Sequence, residues 1–285
     1  MKKLGIVIVN YNDYKTTIKL LKNIENYKIL DSIVIVDNNS KDNSVKELKK
    51  YKNKKIHLIE NKENKGYASG LNIGAKYLNK TLKDCIIIFS NSDIIIEKEE
   101  DLIDLKNSVT ENIPVVGPTI IENNNLNRGW KSPKPIDEIL FNLPLISRRL
   151  KKRILYKESH YQNKISIVDV VSGCIFLVDG KTLNDINYFD DNTFLYYEEN
   201  ILAQKIKNIN KLEAVNNNVK VIHNHSVTID KNINKINKYK NLKKTQHYYV
   251  KNYLKANYLE LSLLYITNKL SLLILYIRCF MNKNH

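Results

Sequence analysis

The chain has 285 residues, 43% of them hydrophobic and 27% charged, which excludes a disordered segment and allows one large core or two halves sharing a sheet. Lys and Arg outnumber Asp and Glu by 46 to 30, a formal net charge of +16. Eleven basic residues stand against the single acid Glu260 between Lys231 and His285, so +10 of that excess is a property of the tail, and with no docking motif or interleaved stacking residues there no nucleic-acid partner is expected.

The apolar run after Met1-Lys2-Lys3 stops at Asn10, too short for a signal peptide, so the chain is expected to stay in the cytoplasm. Cys85, Cys174 and Cys279 show no short pairing or metal-ligand spacing, which disfavours a disulfide framework and a zinc site.

In chain order, Leu4 to Val9 reads as a buried strand and Tyr14 to Ile24 as a helix with Ile18, Leu20, Leu21 and Ile24 on one face. Ile33 to Val36 is a second strand, followed by a short helix with Val45 and Leu48 inward. Ile56 to Ile59 is a third strand, and a helix follows from about Ala68 to Leu78. Cys85 to Phe89 is a fourth strand, ending in Ser90-Asn91-Ser92-Asp93. This alternation predicts an α/β fold with a doubly wound, mostly parallel sheet. Polar clusters, Asn10-Tyr11-Asn12, Asp37-Asn38-Asn39 and the Asp93 loop, then fall on one sheet edge, where such sheets bind ligands.

The glycine-rich dinucleotide fingerprint is missing after the first strand and no Walker A sequence occurs. A lone carboxylate such as Asp93 serves either as a turn or cap residue or as a ligand for a hard divalent cation that holds a diphosphate. Asp37 either caps the next helix or accepts from the ring imide of uracil or thymine, a donor cytosine lacks. Glu198 and Glu199 open a helix running to Lys207, where they complement its dipole or supply a base. His223 and His225 follow a strand, Val219 to Ile222, and are structural or metal-binding, with His223 preferred.

Four of the five prolines and the only Trp, Trp130, lie between Pro114 and Pro135, which reads as irregular loops. From Leu259 to Phe280 the tail is apolar, but Asn268 and Lys269 at its middle are costly for a spanning helix. An amphipathic helix on an anionic membrane surface is expected, against packing on its own domain or on a second subunit in an oligomer.

These motifs carry a resemblance. Val7 to Asn12, Val36 to Ser40, Asn64 to Gly74, Asn91-Ser92-Asp93, Val171 to Val178, Phe194 to Glu199 and Val221 to Ser226 are similar, in order, to those of family 2 glycosyltransferases with the GT-A fold, and within them the rhamnosyltransferase-like enzymes of bacterial surface polysaccharides. The resemblance implies a catalytic domain over 1–230, with a nucleotide-binding half (1–115) and an acceptor half (116–230), and a helical tail over 231–285. It implies inverting transfer from a nucleotide-sugar donor, UDP- or dTDP-linked by the Asp37 argument, to a glycan or lipid-linked acceptor at the inner face of the membrane, with Mg²⁺ or Mn²⁺. Nucleotide contacts would come from Asn10, Tyr11, Asn12, Asp37, Asn64, Gly66, Asn72, Ser92 and Asp93, metal ligands from Asp93 and His223, and the base from Glu199 or Glu198. Only the last acid of the usual DxD is present, so the alternative is a noncatalytic nucleotide-sugar or glycan-binding protein on the same fold.

Overall fold

The computed structural model of the chain describes residues 2–123, 125–224 and 235–281. It opens with strands β1 (Lys3–Asn10), β2 (Ser32–Asp37), β3 (Ile56–Glu60) and β4 (Cys85–Ser90), joined by helices α1 (Tyr14–Ile24), α2 (Ser44–Lys49) and α3 (Tyr67–Leu82). Every residue of β2 and β4 is buried, which is why these segments are continuous apolar runs: both faces of the sheet are covered. Leu20, Leu21 and Ile24 of α1 and Leu48 of α2 pack on one face with Leu4, Ile6 and Ile8. Ala68, Leu71, Ala75 and Leu78 of α3 pack on the other with Val7, Val34 and Val36. Each such fully buried Leu or Ile contributes about 1.5–3 kcal/mol relative to exposure.

The second half adds β5 (Ile94–Ile95), α4 (Glu99–Ser108), β6 (Val115–Glu122), β7 (Asn125–Asn127), α5 (Pro135–Leu140), α6 (Pro144–Arg153), a 3-10 turn, β8 (Ile165–Val168), β9 (Ile175–Asp179), α7 (Gly180–Asp185), α8 (Glu198–Asn208) and β10 (Glu213–His223). The sheet order is β3-β2-β1-β4-β9-β6-β10-β5, with β7 beside β6 and β8 beside β10. Strands β3, β2, β1 and β4 are parallel. β9 then inserts antiparallel between β4 and β6, and β6 and β10 are parallel again. The expected doubly wound α/β sheet is therefore present, parallel through its first half and mixed beyond β4.

Helices α9 (Lys235–Asn252) and α10 (Tyr258–Met281) follow. A third apolar cluster of Ile139, Ile201, Tyr249, Val250 and Leu264 ties both to α5 and α8, and Asn142 Nδ2 donates to Thr267 Oγ1 at 3.0 Å. Only one side of α10 is used this way. By length and composition it could cross a membrane, and 17% of its apolar window is buried. Its other side shows Leu259, Leu263, Ile266, Leu270, Leu273 and Ile277, all large and exposed, at alternating steps of four and three that form one continuous stripe. Cys85 and Cys174 are buried free thiols, and Cys279 is also unpaired.

Candidate active site

Parallel register brings the ends of β1, β2 and β4 to one edge, with Asn10 opposite Asp37 and Ile8 opposite Ser90. A cavity of about 840 Å³ opens there. Of the residues singled out in the sequence, Tyr11, Asn64, Gly66, Ser92, Asp93, Glu198, Glu199 and His223 line it together. They come from five separate chain regions, so their convergence is a product of the fold. His225 lies outside the described residues.

Asn10, Asn12, Asp37 and Asn72 are not brought to the cavity. Asp37 is 1% exposed. Its Oδ2 accepts from Asn10 Nδ2 (2.8 Å) and Ser40 Oγ (2.7 Å), and its Oδ1 from the Ser40 amide (2.9 Å). Asn12 accepts from the Lys41 amide (2.6 Å) and donates its own amide to Ser40 Oγ (2.8 Å). These side chains brace the loop after β2, and Asn38, the next residue, is the one that reaches the cavity wall. Asn72 is spent on the backbone of Phe189, donating to its carbonyl and accepting from its amide, each at 2.9 Å. It anchors α3 to the segment that delivers Glu198, so it shapes the site without touching it.

Gly66 has φ +106°, and a Cβ there would fall 2.4 Å from the Phe194 carbonyl oxygen. A side chain is excluded both by backbone conformation and by space. This close approach lets the Tyr67 amide donate to the same Phe194 oxygen at 2.8 Å, closing the cavity between the start of α3 and the strand of residues before α8. Tyr67 Oη in turn donates to Asn91 Oδ1 at 2.8 Å.

Asp93 meets His223 because β5 pairs with β10, with His223 opposite Ile94. His223 Nε2 lies 3.2 Å from Asp93 Oδ1, and its Nδ1 lies 3.6 Å from Glu122 Oε1. Glu122 ends β6, the parallel neighbour of β10, so the imidazole sits between carboxylates of two flanking strands. Burial alone lowers the His223 pKa, but the Asp93 hydrogen bond and the charges of Asp93 and Glu122 outweigh it and the value is raised. Among the described residues no group of three or more His, Cys, Asp or Glu forms a metal site. One carboxylate and one imidazole are a fitting pair for a divalent cation that takes its remaining ligands from phosphate oxygens and water.

The start of α8 brings Glu198 and Glu199 to the same cavity. Glu198 is buried and Glu199 half-buried, and burial, then the neighbouring Glu199 charge, pushes the Glu198 carboxyl up to about 8. Burial also raises Glu199. Glu198 Oε1 is buried with no hydrogen-bond partner among the described residues. Tyr196 and Tyr197 immediately before them both have positive φ, 76° and 67°, a conformation that non-glycine residues hold only when their surroundings impose it. Tyr197 Oη donates to Glu138 Oε2 at 2.6 Å, and its ring lies 5.2 Å from that of Tyr249. A third buried acid, Glu213, accepts from the Val171 amide at 2.9 Å and is likewise pushed by burial to about 8.

Several lining residues escape a sequence reading. Trp130 reaches the cavity from the irregular loop, and Asn237, Lys240 and Asn241 reach it from α9, so the basic tail contributes to the site rather than following it. Only the concentration of Lys and Asn near residue 240 hints at this.

The chain belongs to glycosyltransferase family 2. It matches Glycosyl transferase family 2 over residues 5–178, which covers the strand-edge half of the cavity. Its relatives include the Low-salt glycan biosynthesis hexosyltransferase Agl10 of Haloferax volcanii, 25% identical over 231 residues, 79% of this chain and 68% of that protein. A structure of the mannosyltransferase PcManGT from Pyrobaculum calidifontis with GDP-Man and Mn²⁺ is similar at TM-score 0.58 and 13% identity, covering 95% of this chain and 72% of that one. A structure of S. aureus TarS with UDP-GlcNAc gives TM-score 0.58 and 16% identity, covering 88% and 67%. GalNAc-T7 with UDP, GalNAc and Mn²⁺ gives TM-score 0.58 and 14% identity over 78% of this chain, which spans only 44% of that protein. These similarities establish the GT-A fold.

Proposed function

We propose that this chain is an inverting glycosyltransferase, moving a hexosyl or deoxyhexosyl unit from a nucleotide-diphosphate sugar to a hydroxyl of a growing, lipid-linked surface glycan at the inner face of the membrane. The motif order favours the rhamnosyltransferase-like branch of the family, with residues 1–230 as the catalytic domain and the tail as an appended helical unit. The observation that carries the proposal is one cavity at the carboxyl edge of a GT-A sheet lined by the Asp93 and His223 pair together with Glu198 and Glu199.

Asp93 and His223 would hold Mg²⁺ or Mn²⁺ against the donor diphosphate, a cation that offsets negative charge on the leaving group. Glu199 accepts the proton of the acceptor hydroxyl as its oxygen bonds to the anomeric carbon. The bond from that carbon to the diphosphate breaks with its electron pair leaving on the diphosphate, and a single displacement inverts the configuration. Burial and the Glu199 charge favour the neutral form of Glu198, which disfavours Glu198 as the base beside Glu199. Lys240 on the cavity wall adds positive charge to the donor side.

The preference for UDP- or dTDP-sugars rested on a carboxylate facing the base, and Asp37 is turned into its own loop. Calorimetric titration with UDP, dTDP and GDP, each with Mn²⁺ and with chelator, therefore decides the base and tests the proposal. Cation-dependent binding of one of them is expected. Binding of none would leave the noncatalytic alternative. The exposed stripe on α10 and the basic excess of the tail support peripheral attachment to an anionic membrane.

A further inference from the structure

Tyr196 and Tyr197 hold left-handed backbone, with φ 76° and 67°, directly before Glu198 and Glu199. A residue with a Cβ keeps that conformation only where its neighbours impose it. The Tyr197 carbonyl accepts from the Ile201 amide at 2.9 Å, so this turn is continuous with the first turn of α8. Whatever fixes Tyr197 therefore fixes where the two carboxylates point.

The constraint comes from α5 and α9. Glu138 of α5 is buried, and its Oε2 accepts from Tyr197 Oη at 2.6 Å and from Gln246 Nε2 at 2.7 Å. Gln246 Nε2 also donates to the Glu138 carbonyl at 3.1 Å. One carboxylate thus ties α5, α9 and the turn before α8 together. The buried ring of Tyr249 lies 5.2 Å from that of Tyr197, and Thr245 Oγ1 donates to the Leu195 carbonyl at 2.9 Å. Tyr248 Oη, and Tyr253 Oη just past the end of α9, donate to Asp190 Oδ2 at 2.7 and 2.6 Å. Residues 190, 195 and 197 are therefore held, directly or through Glu138, by residues 245–253. Glu138, Asp190 and Tyr197 do not line the first cavity, although Asn237, Lys240 and Asn241 of the same α9 do. One stretch of the helix faces the cavity, and the next grips the segment that delivers the carboxylates.

We propose that Glu138 is a positioning residue for Glu199: by holding Tyr197 between α5 and α9 it fixes the left-handed turn that aims the Glu199 carboxylate into the cavity, with Asp190 as the second attachment of the same segment to the tail. The helix α9 then sets the geometry of the reaction as well as lining the cavity. This rests on the reading of Glu199 as the base.

The test measures nucleoside-diphosphate release by the full chain from saturating UDP-glucose, dTDP-glucose and GDP-mannose with Mn²⁺, water serving as the attacking hydroxyl. Water oxygen bonds to the anomeric carbon, Glu199 takes the proton, and the diphosphate leaves with the electron pair. Wild type is compared with Glu199→Gln, Glu138→Ala, Glu138→Gln and Tyr197→Phe. Glu138→Ala and Tyr197→Phe are each expected to lower kcat about 10- to 100-fold, the effect of a small misplacement of the base. Nucleotide Kd, measured by calorimetry on the same variants, stays at the wild-type value, which marks an interaction that matters only in the transition state. Glu138→Gln, whose carbonyl oxygen can accept from Tyr197 and Gln246 alike, keeps the wild-type rate. Tyr197→Phe retains the ring and loses only the hydroxyl, so it decides the matter even where Glu138→Ala does not fold. The inference is overturned if Tyr197→Phe, or a folded Glu138→Ala, turns over like wild type, if Glu138→Gln falls as far as Glu138→Ala, or if kcat and nucleotide affinity fall together. No release by wild type, or wild-type release by Glu199→Gln, removes the base reading on which the inference rests. An inactive Glu199→Gln beside a fully active Tyr197→Phe removes the positioning role alone.

Discussion

A Cβ placed on Gly173 would lie 3.1 Å from Glu199 Oε2 and 3.3 Å from its carboxyl carbon. The missing side chain is what allows the carboxylate to rest against the backbone of the segment entering β9. Gly173→Ala should displace Glu199 by a few tenths of an ångström while leaving the fold intact, because no left-handed backbone is required there. A fall in kcat of about 10- to 100-fold is expected, with the melting temperature little changed. Steady-state kinetics beside a thermal melt checks both halves.

The Glu198 carboxyl fixes a pH dependence of stability. Its folded value, about 8, lies above the ordinary 4.5, so between those values the folded chain holds a proton that the unfolded chain releases. Its stabilising contribution is full below the ordinary value and is lost as pH rises to about 8. Glu198→Gln keeps the neutral form at every pH. The variant should gain melting temperature over wild type progressively from pH 5 to 8 and hold that gain above it. A constant difference across this range would show that Glu198 is ionised in the folded chain. Glu213, also about 8 for the same first reason, burial, acts in the same direction.

Glu122 faces the ring nitrogen of His223 that points away from Asp93. A carboxylate in that position orients an imidazole and raises its basicity as a ligand. Glu122→Gln should weaken Mn²⁺-dependent nucleotide binding about 10- to 100-fold while leaving binding in chelator unaltered. Equal loss in both conditions would assign Glu122 to the fold instead. Calorimetry with and without Mn²⁺ separates them.

The outer stripe of α10 gives a direct test of membrane attachment. Sedimentation with phosphatidylglycerol vesicles should exceed that with phosphatidylcholine vesicles and fall with added salt. Ile266→Glu with Leu270→Glu, both on the exposed stripe, should abolish it without lowering nucleotide affinity. Unchanged sedimentation would leave the stripe to a protein partner.

Much of the first half was legible because both faces of its strands are buried, so β1 to β4 stand out as apolar runs, and the limits of α1 follow its apolar spacing. The strand-end location of Asp93 followed from the same logic. Other features depend on distant partners. Asp37 was read either as a cap of the next helix or as a base contact, and its carboxylate accepts from Asn10 and Ser40, a pairing that neither position announces. The antiparallel entry of β9 between β4 and β6 is set by long-range register. Nor does local sequence place Lys240 of the tail in the cavity, or two tyrosines in left-handed backbone before Glu198.

The central claim is that Glu199 takes the acceptor proton, and the measurement that tests it most directly is single-turnover sugar transfer by wild type, Glu199→Gln and Glu198→Gln at saturating donor. Glu199→Gln should lose about 10²- to 10⁴-fold in rate with nucleotide affinity preserved, and Glu198→Gln should retain most of its activity. Near wild-type transfer by Glu199→Gln, or a larger loss in Glu198→Gln, would contradict the assignment.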